Sequence, residues 1–208
     1  MNIQPLPIRI ETSIVITDLD SGKELVRGSN AIHQENMSTA ISKMMSRDTN
    51  SFISEMHFGN GASIIGSDGN ITYRLPNISG ISADLHNDKY FRVVDESDSN
   101  NPDSSLNKVT IAHTTGTTYS DIVVTTTLDY TDPNPEDSIF NIVNSTQESL
   151  DATTTFAGEI EFDEIGLKTR GTTGVNTGLL LTHFIFHPVE KLANQRIQIV
   201  YTLRVQAG

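Results

Sequence analysis

Arg196-Ile197-Gln198-Ile199-Val200-Tyr201-Thr202-Leu203-Arg204-Val205-Gln206 is the stretch that decides the fold. Ile197, Ile199, Tyr201, Leu203 and Val205 fall at every second position, with Arg196, Gln198, Thr202, Arg204 and Gln206 between them. Successive side chains of a strand point to opposite faces, so this alternation predicts a strand with one face in a core. The face carrying Arg196, Gln198, Arg204 and Gln206 is then left to water or to a neighbouring subunit, which makes these four the first candidate interaction residues.

The same period recurs upstream. Ile8, Ile10, Ile14 and Ile16 alternate, Asp18 to Lys23 reads as a turn, and Glu24 to Arg27 returns as the second strand of a hairpin. Further strands are predicted at Phe52 to Phe58, Lys89 to Asp95, Val109 to His113, Tyr119 to Asp129, Phe156 to Leu167 and Leu179 to Phe186. One stretch changes period: with Asn30 as N-cap, the residues His33, Met37, Ala40, Ile41, Met44 and Met45 share a helical face, so one substantial helix is expected near residues 31–46. Segments 62–87, 95–107 and 131–155 are rich in Gly, Ser, Asn, Asp and Pro and read as loop excursions. Eight or so strands with a single helix predict a mainly β, two-sheet sandwich-like domain over residues 1–208.

The chain has 208 residues, enough to bury a real core in one domain. Its 14 Lys and Arg against 26 Asp and Glu leave a net charge of −12, which repels nucleic acid and argues against sequence-specific binding to it. There is no cysteine, so disulfides, thiolate nucleophiles and Cys-based zinc sites are excluded. Met1 to Ile10 lacks the basic and apolar regions of a leader, and no apolar run approaches the roughly 20 residues that span a bilayer. No export and no membrane partner are expected.

Each fragment that could carry chemistry has a structural explanation. Asp18-x-Asp20-x-Gly22 begins like a calcium loop but lacks the later ligands, and Asp, Ser and Gly are turn formers. Glu159, Glu161 and Asp163 alternate along a strand as an acidic row, a candidate partner surface and more simply a solvated face behind Phe156, Ile160 and Phe162. His183 and His187 would stand about 13 Å apart along a strand, too far for one metal to bridge. His33, His57, His86 and His113 would form a site only if the fold gathered them, which nothing in the sequence alone calls for. Neither a Gly-x-Ser-x-Gly elbow nor a phosphate loop occurs, and Gly59-Asn60-Gly61 follows a strand as a turn. The expectation is no catalytic site, no cofactor and no metal.

Three segments carry a family resemblance: Asn30-Ala31-Ile32-His33-Gln34-Glu35-Asn36-Met37, Met56-His57-Phe58-Gly59-Asn60-Gly61, and Phe162 to Thr169 together with Leu180 to Val189. The combination resembles a family of virion structural proteins of tailed double-stranded DNA bacteriophages. The resemblance runs over nearly the whole chain and defines no catalytic residue. It implies synthesis in the host cytoplasm, incorporation into the virion, and partners that are further copies of the chain and other virion proteins. Tail tube, terminator, neck and collar subunits are the preferred kind; capsid decoration, or a carbohydrate- or receptor-binding module, is the alternative.

Overall fold

The computed structural model describes residues 7–134 and 158–207. Its elements are β1 (Ile8–Asp18), β2 (Glu24–Gly28), β3 (Ala31–Ile32), α1 (Gln34–Met45), β4 (Ile53–Gly59), β5 (Ser63–Ile65), β6 (Ile71–Tyr73), β7 (Asp88–Val93), β8 (Lys108–Ala112), β9 (Tyr119–Leu128), β10 (Ile160–Thr169), β11 (Leu180–Lys191) and β12 (Ile197–Ala207). Two five-stranded sheets form, ordered β2-β1-β12-β9-β8 and β3-β11-β10-β4-β7, beside a small β5-β6 hairpin. All strand pairs are antiparallel, and the architecture is the mainly β, sandwich-like one that the alternation predicts.

The opening stretch is the central strand of the first sheet, held by β1 on one side and β9 on the other. Ile14 pairs with Tyr201, and Tyr201 with Val124, so inward residues stack in rows across the sheet. The second sheet answers with Met56, Phe58, Ile165, Leu167 and Phe184, and both sets belong to one core. Phe162 links its aromatic members edge to face, with ring centroids 5.6 Å from Phe58 and 5.7 Å from Phe186.

α1 packs Met37 and Ala40 into this core. Its cap is His33 and not Asn30: the His33 Nδ1 accepts the Asn36 amide at 3.2 Å, while Ala31 and Ile32 pair with β11 as β3. Asn30 therefore precedes a strand, where its side-chain amide meets the Tyr201 hydroxyl.

Two of the expected excursions are well tied down. Residues 62–87 contain the β5-β6 hairpin and are fastened to the outer face of the second sheet through Asp163, Glu164 and His183. In residues 95–107, the Asp95, Asp98 and Asp103 side chains accept the backbone amides of Ser97, Asn100 and Ser105, closing three Asx turns. The third excursion, 131–155, falls outside the described residues from position 135 onward. Among the described residues no helix is long and apolar enough to cross a membrane.

Candidate functional site

The face of the second sheet that points away from the core carries Glu55, His57, Asp88, Glu164, Lys168 and His183, all buried. A strand pattern with Met56, Phe58, Ile165 and Leu167 on the core side puts polar residues on the other face. What buries them is a second layer, the segments around residues 60–63, 75–87 and 175–177, and each polar side chain is a fastening point for that layer.

His57 lies between two carboxylates, its Nδ1 2.7 Å from Asp88 Oδ2 and its Nε2 2.9 Å from Glu55 Oε2. A carboxylate only accepts, so both ring nitrogens carry hydrogen and the ring is an imidazolium. Burial works against that charge, but the Asp88 charge and the two hydrogen bonds outweigh it and raise the His57 pKa. Burial likewise opposes the Asp88 charge, and His57 with Lys168 reverses the effect, leaving its pKa lowered. Lys168 donates to Asp88 at 3.2 Å and pairs with Asp84 at 2.7 Å, so its pKa is raised despite burial. It also donates to the Asn176 side chain at 3.3 Å, and the Asn176 amide donates to Glu55 Oε1 at 2.9 Å, which closes the network into a ring. His57 stacks on Phe91 at 5.0 Å, so the ring is sealed beneath apolar cover.

Glu164 forms a second fastening. Oε1 accepts the Gly61 and Asn87 amides at 3.1 and 2.8 Å, and Oε2 accepts the His86 amide at 2.9 Å and the His183 Nε2–H at 2.8 Å. Burial pushes its carboxyl up, but these donors win and its pKa is lowered. His86, Glu164 and His183 bring three possible metal-ligand atoms within 4.8 Å of one another. The hydrogen bonds do not suit a metal. His183 Nδ1 accepts the Asn77 amide at 2.9 Å, so its proton sits on Nε2, the atom a metal would need. With four donors on Glu164 the carboxylate has no spare lone pair, and the cluster reads as a loop anchor.

The sequence-derived acidic row is overturned. Glu159 is exposed and Glu161 half-buried, whereas Asp163 is wholly buried and accepts the amides of Ala62 and Ser63 at 3.1 and 2.6 Å. The cause is the segment around residues 60–63, which covers the outward face at this point; the strand pairing is also irregular here, with the extra residues between Phe162 and Glu164 lying on β11. Burial pushes the Asp163 carboxyl up to about 6, against the two amides that favour its charge.

The other candidates lie as the alternation places them. Gln198, Arg204 and Gln206 occupy the outward face of the first sheet, and Arg196 stands at its end. Arg204 grips Asp121 through two bonds of 2.8 and 2.9 Å and lies over the Tyr119 ring at 4.0 Å, while Gln198 reaches Thr127 at 3.4 Å. Arg196 is bound to Asp20 at 2.9 Å and stacks on Tyr130. Asp18, the first residue of the calcium-like fragment, accepts the Asp20 amide at 2.9 Å and the Ser21 hydroxyl at 2.7 Å, as a turn residue does. His187 meets the Tyr73 hydroxyl at 2.9 Å, apart from His183.

Sequence reasoning missed Glu55, Asp88, Glu164 and Lys168 and set His57 aside. The only signal was Glu55-x-His57 and Glu164-x-x-x-Lys168 on strands, which an exposed face would display equally. Compared with known proteins, the chain matches no family model, no curated protein and no solved structure.

Proposed function

We propose that the chain is a structural subunit of a tailed-phage virion that assembles into a symmetric homo-oligomer, with the tail or neck favoured over capsid decoration. The observation that carries this reading is the outward face of the first sheet. Ser13, Val15, Val123, Thr125, Val200 and Thr202 lie side by side across β1, β12 and β9, forming a field of short side chains. Such residues lose little rotamer freedom when covered, so a neighbour docks on them at low entropic cost. Arg204 with Asp121 and Tyr119 frames one end, and Arg27 with Glu24 the β2 side, giving the field the polar rim typical of interfaces. The buried ionisable groups support the same reading, because Glu55, His57, Asp88, Asp163, Glu164 and Lys168 are each spent on holding loops. The net charge of −12 suits a ring through which DNA slides without sticking.

The test is sedimentation of the purified chain beside imaging of intact particles with the chain labelled. A defined oligomer, dissolved by Thr202→Lys with the unfolding midpoint retained, is expected, together with label at a symmetric position in the particle. A wild-type chain that stays monomeric at high concentration and is missing from particles overturns the proposal. A ring with a neutral or basic lumen overturns the tail or neck placement.

A further inference from the structure

β8 is the edge strand of the first sheet. There the inward side chains of Ile10, Val109, Ile111 and Ile122 face Met37 and Met44 of α1 across a cleft of about 470 Å³. Its rim is apolar and open, with Ile111 76 % and Met44 44 % exposed. Large side chains of this kind are normally covered, and contiguous apolar surface of this sort marks an interaction site.

Two further features meet at the same corner. Among the described residues β8 pairs with β9 alone, so the backbone amides and carbonyls on its other side are free to template another strand. The loop after β7 places Asp95 and Glu96 at the cleft, followed by Asp98 and Asp103. Arg170 lies 3.2 Å from Asp95 and 3.3 Å from Asp98, which leaves Glu96 as the exposed carboxylate of the cleft lining.

We propose that this corner receives an extended segment of a partner protein, which adds as a strand to the open edge of β8, lays alternate apolar side chains into the cleft and sets a Lys or Arg against Glu96. Backbone pairing supplies the attachment, and the period of two puts every second side chain of the segment on the cleft side. Glu96 selects the basic neighbour and raises the encounter rate with a positively charged segment. A second copy of this chain fits less well, because each carries −12 and brings its own acidic loop to the seam. The proposal goes beyond self-assembly through the outward face of the first sheet, and it is tested on different residues, so either fails without the other.

The probe is a displayed library of random nine-residue peptides selected on the full chain. Both Ile111 and Glu96 are exposed, so Ile111→Lys and Glu96→Lys leave folding intact, which the unfolding midpoint checks. The expected consensus alternates apolar residues and holds a Lys or Arg beside them. Enriched peptides measured by fluorescence anisotropy then bind at least about tenfold more weakly to either variant. Peptides that bind both variants like the wild type overturn the proposal, as does a consensus with apolar residues at helical spacing. So does self-association of the wild type that Ile111→Lys abolishes, since the occupant is then a second copy.

Discussion

Replacing His57 with glutamine tests the buried ring most directly. His57 joins Glu55 and Asp88 through bonds of 2.9 and 2.7 Å, and all three groups are buried. The carboxamide of His57→Gln is uncharged and unable to donate to both sides at once, so two carboxylates lose their shared cation. Removing one partner of a buried ion pair costs about 3–5 kcal/mol, because the remaining charge is left uncompensated. For a chain of this size each kcal/mol moves the midpoint by roughly 2–4 °C, so a drop of roughly 6–20 °C is expected in thermal unfolding followed by circular dichroism. The pH dependence carries the sharper signature. The folded pKa of His57 is raised, so its stabilisation is complete below the unfolded value of about 6.5 and fades as pH rises through the folded pKa. Asp88 is lowered, so its contribution is present above about 3.9 and fades as pH falls through its folded pKa. The contribution of the His57–Asp88 pair should therefore be full between about pH 4 and 6.5 and decline on the alkaline side, and the His57→Gln variant should lose that alkaline decline. A variant within about 1 kcal/mol of wild type, with the same alkaline slope, would refute the imidazolium assignment.

Glu164→Gln should destabilise by about 3 kcal/mol and speed hydrogen exchange at Gly61, His86 and Asn87, whose amides it holds, more than at amides in β12. In the wild type, added zinc should leave the unfolding midpoint unchanged, because His183 offers its proton-bearing nitrogen to Glu164; a zinc-dependent rise would restore the metal reading. The Asp163 carboxyl should titrate near pH 6 by carbon-detected NMR. Since its folded pKa is raised, its contribution to stability is present below about pH 4 and is lost as pH rises through 6, and a midpoint at the ordinary value near 4 would contradict its burial.

The legible part of the fold was the part governed by local period. β12, β1 and β9 each pair with neighbours of the same alternation, and their predicted bounds fall within a few residues of those observed. The helix was legible for the same reason, though its start was misplaced, since Asn30 and His33 are both able to cap and only pairing of Ala31 and Ile32 with β11 decides between them. The acidic row failed at Asp163, where the segment around residues 60–63 covers an outward side chain and makes it an anchor for Ala62 and Ser63.

Alternating hydrophobicity, composition and charge were thus sufficient for the β class, the core-facing residues of β1 and β12 and the outward placement of Gln198, Arg204 and Gln206. They could not reveal that the outer face of the second sheet is buried. A polar strand face looks the same in sequence whether it meets water or a layer of loops, because the partners of Glu55, His57 and Glu164 include Asp88, Asn176, Gly61 and Asn87, from other segments of the chain. Which charges share a low-dielectric space, and hence which are held ionised, is set by those distant contacts, and only tertiary folding brings them together.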